Sequence, residues 1–227
     1  MKILIYSHEF SLLKYNMSQK TFESENDHIN VQYQADFLDQ YTADKYYTIF
    51  ESKLEYNKKD DSKVKVFGKE YFIKRKQVAY GEDGTYYTFA GNTVYAKSWN
   101  NSDDILCRVI KNIKIRVEKK TGKKFNFVLI NRYADGDDYI GAHRDDEKEL
   151  GNEPTIIGVS LGSVRDIAFT PVGFIPEETP KRLTLELDHG SIFVMNHPTN
   201  TYWKHEIPKR ANINKPRISL TFRYLHL

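Results

Sequence analysis

From residue 125 to the C-terminus the chain is a series of short apolar runs separated by turns: FNFVLINRY, TIIGVSLG, RDIAFT, RLTLELD, SIFVMN and RISLTFRYL. Each has strand length and shows period-2 alternation or a brief buried run, and no segment between them carries a helical period. Such a series predicts a sandwich or jelly roll, with ligand sites at the open end between the sheets. Upstream the period changes. Ile105, Val109, Ile113 and Val117 recur every four residues and predict a helix over 103–121. Phe50 and Leu54 predict another over 41–56, with Thr42 as its N-cap. A charged turn at 57–62 leads into short strands that turn at 67–69 and 81–84. The expected class is mainly β with flanking helices. No repeat, low-complexity tract or linker divides the chain, so 29–227 reads as one domain and 1–28 as an N-terminal arm, ordered or frayed.

Parity within two of these strands separates polar from apolar side chains in an unusual way. Ile218, Leu220, Phe222 and Tyr224 share one face of the last strand; Arg217, Ser219, Thr221 and Arg223 share the other. Two guanidinium groups aimed the same way, with small hydroxyl residues between them, suit a dicarboxylate co-substrate such as 2-oxoglutarate, whose distal carboxylate needs a fork-shaped cation. An edge strand with two solvated arginines is the alternative. In the strand near 127–133, Phe127, Leu129, Asn131 and Tyr133 share a face, so an apolar face continues into two polar groups.

The segment NRYADGDDYIGAHRDD adds candidate metal chemistry. In an extended segment residues i and i+2 point the same way, so His143 and Asp145 can present an imidazole and a carboxylate together. A second histidine would complete the two-histidine, one-carboxylate set that suits Fe(II) with open positions opposite. The chain has seven histidines, and the contest for the third position lies among His189, His197 and His205. His189 sits in a turn-like Asp-His-Gly-Ser, and His197 precedes a proline.

Composition narrows the setting. The chain has 227 residues, a net charge of +3 and 14% aromatics, so nucleic-acid binding would need local patches rather than a global basic field. One cysteine, Cys107, excludes an intramolecular disulfide framework and fits a reducing compartment and a packing role. The opening MKILIY is too short for a signal peptide, and no apolar run approaches the roughly 20 residues of a membrane span. A soluble, intracellular protein is expected. The basic residues of the second helix, from Arg108 to Lys120, read as a solvated face.

NRYADGDDYIGAHRDDE, MNHPTNTYWKHEIP and PRISLTFR, together with VFGKEYFIKRKQVAYG, YYTFAG and KKFNFVLINRY, resemble in order the AlkB family of iron and 2-oxoglutarate dependent nucleic-acid demethylases. The resemblance covers residues 30–227 and is closest to the branch of the second human homologue, which repairs alkylated duplex DNA. It implies a double-stranded β-helix carrying an N-terminal α/β nucleotide-recognition lid at about 60–100. It implies that His143, Asp145 and His205 hold Fe(II), that Arg217 binds the distal carboxylate of 2-oxoglutarate, and that Asn131, Tyr133 and Arg223 complete that pocket. The implied reaction uses O2 and demethylates 1-methyladenine and 3-methylcytosine in DNA, with release of formaldehyde. A related oxygenase acting on RNA or protein, and a non-catalytic nucleic-acid-binding homologue, are the other readings.

In the same branch Phe67 corresponds to a wedge that fills the stack vacated by a flipped base. Tyr87 and Phe89 would sandwich that base, and Asp146 and Glu147 could accept from its exocyclic amine, support the metal or face solvent. Arg75 stands in the basic run behind the wedge, and Arg210 in a loop expected to grip phosphate. The chain departs from the branch in that loop, 209–212, which keeps only part of its charge, and in the loop 171–178, which is apolar and acidic. Ser219 replaces an asparagine of the usual strand motif. Activity on both single- and double-stranded alkylated DNA, and on RNA as a further candidate, is therefore expected of a monomer that is nuclear if eukaryotic and otherwise cytoplasmic.

Overall fold

Eight strands make a major sheet, in the spatial order β1 (Gln19–Ser24), β2 (Ile29–Gln34), β14 (Ile192–Met195), β11 (Ile156–Gly162), β16 (Arg217–Arg223), β9 (Phe127–Tyr133), β5 (Lys76–Gly81) and β8 (Lys97–Ser98). Four more, β10 (Ile140–His143), β15 (Trp203–Ile207), β12 (Arg165–Pro171) and β13 (Leu183–Leu187), make a minor sheet. Two hairpins, β3 (Lys63–Val66) with β4 (Lys69–Phe72) and β6 (Tyr86–Phe89) with β7 (Asn92–Tyr95), form separate two-stranded sheets. This is the expected jelly roll, in a computed structural model that describes residues 18–58, 63–66, 69–89, 92–173 and 179–227. Among the described residues no helix is long and apolar enough to cross a membrane.

The central strands of the major sheet are buried on both faces, which is why β11 and β14 read as nearly continuous apolar runs. On its outer face lie helices α1 (Gln40–Lys53) and α2 (Ile105–Thr121). Phe50, Ile110, Ile113 and Val117 pack there against Val128, Ile130, Ile218, Leu220 and Phe222. On its inner face Tyr133, Ile156 and Phe193 meet Ile167, Phe169, Trp203 and Ile207 of the minor sheet. A third cluster, with Tyr87 and Val94 against Phe127 and Leu129, joins the β6–β7 hairpin to the same inner face. Cys107 is buried in α2, as its packing role required.

Several boundaries differ from the sequence expectation for local physical reasons. Asp39, not Thr42, caps α1: its extended backbone lets Oδ1 accept from the Thr42 amide at 2.9 Å, while the Thr42 hydroxyl donates back to Oδ2 at 2.7 Å. The helix ends at Lys53 rather than 56. Asp104 caps α2, which therefore starts at Ile105, and Gly122 closes it with φ 69°. Tyr224 does not continue the apolar face of β16; it lies past the strand end, 47% exposed, and Leu225 is buried instead. Strands β1, β2, β10 and β15 escaped sequence reading, although Ile29, Val31 and Tyr33 of β2 alternate cleanly into the core. Of the segment 1–28, residues 19–24 form the edge strand β1, and 1–17 lie outside the described residues. Phe67 and Gly68, the expected wedge tip, and 174–178 of the acidic loop also lie outside them.

Gly158 of β11 faces Phe193 of β14 across the sheet, and a Cβ built there would stand 2.0 Å from the Phe193 ring. Gly158→Ala is therefore expected to displace that ring and destabilise the fold by about 1–3 kcal/mol. Calorimetry should show a lower melting midpoint, by about 2–4 °C for each kcal/mol at this chain length. An unchanged midpoint would mean that the ring has room to swing away.

Candidate metal and co-substrate site

Pairing of β10 with β15 sets His143 opposite His205, and the two rings lie 4.3 Å apart between centroids. Asp145 follows two residues after His143, where the strand has ended and the chain turns inward. Its Oδ1 lies 3.3 Å from His143 Nε2 and 3.8 Å from His205 Nε2. One donor atom from each of the three residues falls within 4.8 Å of the others. Of the competing histidines, His189 Nδ1 accepts from the Gly162 amide at 2.8 Å and its Nε2 lies 3.2 Å from Asp44, far from this cluster in the fold. His197 is exposed ahead of a cis proline.

The surroundings of the cluster prepare it for a cation. His143 Nδ1 stands 2.9 Å from the Gly141 carbonyl, which favours the tautomer whose Nε2 lone pair points into the cluster. Burial, then the neighbouring His143 and the opposing pull of Asp145, leave the His205 pKa at about 3, so its imidazole is neutral at physiological pH. Burial alone would raise Asp145, but the permanent Arg223 charge outweighs it and holds the carboxyl well below the usual range. Arg223 donates from Nε to Asp145 Oδ2 at 3.0 Å, leaving Oδ1 turned toward the histidines. Asn200 clasps the Asp145 peptide from the other side: Asp145 N donates to Asn200 Oδ1 at 3.0 Å, and Asn200 Nδ2 donates to the Asp145 carbonyl.

A cleft of about 670 Å³, including its open mouth, runs from this cluster along the inner face of the major sheet. Parity places Leu129, Asn131 and Tyr133 of β9 beside Thr221, Ser219 and Arg217 of β16 in its wall. Because β16 is the fifth of eight strands, the solvated-edge alternative is excluded, and Arg217 is only 1% exposed. Arg217 Nη2 donates to Ser160 at 2.9 Å and Ser219 at 3.3 Å, and its guanidinium lies 5.4 Å from the Tyr133 ring centre. Its Nε and Nη1 have no partner among the described residues. Burial lowers its pKa to about 10, still a cation at neutral pH. A buried cation with two unused donors calls for an anion, and a carboxylate is the ordinary partner of a guanidinium edge. His205 Nδ1 and Arg223 Nη1 are likewise without partners. The residues present thus fit both Fe(II) at one end of the cleft and a dicarboxylate reaching from it to Arg217.

The remaining sequence candidates divide. Arg75 is buried and donates from Nε to Asn131 Oδ1 at 2.8 Å, so it lines the co-substrate end of the cleft. Tyr87 is buried beneath the Arg223 guanidinium, 5.0 Å away, and against Phe127. The β6 backbone carries Phe89, whose side chain lies outside the description. Glu147 faces the cleft, its carboxyl raised by burial and by Asp145, and Tyr87 hydrogen-bonds to it. Asp146 is exposed and does not line the cleft. Arg210 is engaged by Glu186 at 3.0 Å and Asp166 at 3.4 Å.

Two functional supports had no signal strong enough to find. Asn200 lies 55 residues from Asp145, and nothing local marks it as a clasp. Arg165, fully buried, donates to the carbonyls of Asp135, Asp138 and Pro208, tying together the loops that lead into β10 and out of β15.

Comparison with known proteins agrees with this geometry. The model of the 2OG-Fe(II) oxygenase superfamily matches residues 30–223. The bovine (Bos taurus) DNA oxidative demethylase ALKBH2 is 44% identical over 184 residues, 80% of this chain and 64% of its own length. The human (Homo sapiens) protein of the same name is 43% identical over 188 residues, 82% of this chain and 69% of its own. The chain thus spans about two thirds of these relatives. The solved prolyl hydroxylase of Trichoplax adhaerens, in complex with a peptide of hypoxia inducible factor, shares the fold with a TM-score of 0.53 at 11% identity, covering 88% of this chain and 84% of that one. The triad, the arginine-walled cleft and the match over most of the chain lead to one conclusion: this chain belongs to the 2OG-Fe(II) oxygenase superfamily, within its AlkB family.

Proposed function

We propose that the protein is an Fe(II)- and 2-oxoglutarate-dependent dioxygenase that removes methyl groups from the bases of alkylated DNA, 1-methyladenine and 3-methylcytosine foremost. The observation that carries this reading is the placement of three ligand-type side chains within 4.8 Å at one end of a cleft whose wall holds a buried arginine with two unused donors. The DNA assignment is supported by the names of the bovine and human relatives. Residues 29–227 form the catalytic domain in this reading, a monomer, with 60–100 as its recognition lid and 1–28 as an arm.

His143, Asp145 and His205 would hold the iron, and Arg217, with Ser160, Ser219 and Tyr133 around it, the distal carboxylate of 2-oxoglutarate. Asn131 and Arg75 fix one another beside it. With both groups bound, dioxygen oxidises the N-methyl carbon while 2-oxoglutarate becomes succinate and carbon dioxide. One oxygen atom ends in succinate and the other on the methyl carbon, and the hydroxymethyl group leaves the nitrogen as formaldehyde. The chain's own part is positional. Arg223 keeps Asp145 ionised and aimed, Asn200 fixes its peptide, and Glu147 with Tyr87 presents a polar edge to a base entering the cleft.

Succinate and formaldehyde release, measured with a 1-methyladenine oligonucleotide as single strand, as duplex and as RNA, tests the reading. Both products should appear with either DNA form. Succinate release with RNA alone would reassign the substrate, and none with any strand would remove nucleic acid from the account.

Five single substitutions check the roles. His143→Ala, Asp145→Ala and His205→Ala should each reduce succinate release to background while circular dichroism remains that of the folded chain. Arg217→Lys should raise the 2-oxoglutarate KM by about ten- to a hundredfold, because a point charge cannot make two parallel bonds to one carboxylate. Asn200→Ala should weaken Mn(II) binding by about ten- to a hundredfold, read by calorimetry without turnover. Unchanged Mn(II) affinity would show that the Asp145 peptide holds its place without the clasp.

A further inference from the structure

Charge on this protein is segregated. Between residues 105 and 124 stand eight basic residues and one carboxylate, a net of +7 in a chain whose total is +3, so the rest carries a net −4. Asp103 and Asp104 precede that stretch at the N-terminus of α2, and Asp104 is spent as its cap. The lone carboxylate, Glu118, is taken by Lys114 at 2.8 Å and Lys124 at 3.2 Å. Lys123 donates to Thr155. Arg108, Arg116, Lys119 and Lys120 are exposed, and no carboxylate among the described residues lies within ion-pair distance of them. Arg116 donates to the neutral Asn112 at 3.1 Å and lies within the field of Asp39, the cap of α1.

These side chains follow the helix in a line. Positions 108, 112, 115, 116 and 119 fall on one stripe at spacings of three and four, away from the buried stripe Val109, Ile113 and Val117. From Arg108 to Lys119 the stripe rises about 16 Å, a span of roughly five phosphates along one DNA strand. Meanwhile two cations that follow β15 are neutralised: Arg210 by Asp166 and Glu186, Lys209 by Asp137 at 3.4 Å. A linear array of unpaired cations suits a linear polyanion. A membrane surface suits it poorly, because an interfacial helix needs an outward apolar face and Ile115, 62% exposed, is the single large apolar side chain that α2 turns to solvent.

Position in the fold links this stripe to the cleft. α2 lies on the outer face of the major sheet and the cleft on its inner face. Through 122–126 the helix runs into β9 at Phe127, which pairs with Arg223, and Arg223 holds Asp145. The C-terminal part of the stripe therefore sits at the same end of the sheet as the metal cluster. We propose that the outward face of α2 binds the phosphate backbone of DNA flanking the stretch engaged at the cleft, supplying the electrostatic grip that the paired cations of 209–210 do not. This inference rests on the DNA reading above and adds a second contact surface to it.

The test is the variant Arg108→Gln, Arg116→Gln, Lys119→Gln and Lys120→Gln, which keeps side-chain length and helix propensity. Fluorescence anisotropy with an unmodified 25-base-pair duplex, over a series of salt concentrations, reads affinity without chemistry. The variant is expected to bind at least tenfold more weakly at low salt, with the slope of log K against log salt reduced by about 0.9 for each lost phosphate contact. Succinate release with a methylated trinucleotide, too short to reach α2, should remain that of the parent protein. Equal affinity and an equal slope for the two proteins would overturn the proposal, as would loss of binding to phosphatidylserine vesicles with DNA binding intact. Failure of the parent to turn over any methylated strand would overturn the demethylase reading instead, and leaves the anisotropy comparison standing.

Discussion

Everything at the site depends on one carboxylate kept ionised where water does not reach it. Asp145 is 4% exposed, and an isolated carboxylate in such a place would take up a proton. Arg223 prevents this, and it does so from β16 because period-2 geometry points it to the same inner face as Arg217, six residues earlier. Arg223 stands on the major sheet and Asp145 in the segment that leaves β10 of the minor sheet. Their pairing spans the sandwich and fixes the distance between the metal cluster and the co-substrate wall. Replacing the pair with apolar residues would leave a packed core and two facing histidines with no carboxylate beside them.

The two faces of the major sheet carry separate duties. Alternation along β9 and β16 sends Val128, Ile130, Ile218, Leu220 and Phe222 outward to α1 and α2, so the helices stabilise the sheet without touching the cleft. The inward residues are then free to be polar, since Asn131, Ser219, Thr221 and Arg217 bond to one another, to Arg75 or to Ser160, or face the cleft. A rigid apolar backing is what allows a buried polar wall to keep its geometry. It also leaves the outward side of α2 free of structural demands, which is where the basic residues accumulate.

What could be read from the sequence follows the range of the interaction. The two arginines, the Asn131–Tyr133 face and the His143–Asp145 pair were legible because each rests on a period of two within a single segment. Both helices were legible from their apolar stripes, though Asp39 took the capping role assigned to Thr42, since an aspartate three residues ahead offers the better acceptor. The third histidine was not decided by pattern: only the β10–β15 register brings His205 beside His143, and only the fold gives His189 its other partners. Asn200, Arg165 and the ion pairs of Arg210 were invisible for the same reason, each being a contact between segments far apart in sequence. Ser219 in place of the usual asparagine remains functional in the geometry, because its hydroxyl accepts from Arg217.

The central claim is that metal and dicarboxylate bind as a unit, one end of 2-oxoglutarate at the metal and the other at Arg217. Calorimetric titration of the intact protein with 2-oxoglutarate, with and without saturating Mn(II) and in the absence of oxygen, measures that coupling directly. The account predicts binding that tightens by at least about tenfold when Mn(II) is present, with glutarate, which lacks the keto group, gaining little from the metal. Equal affinity for 2-oxoglutarate with and without Mn(II) would contradict it.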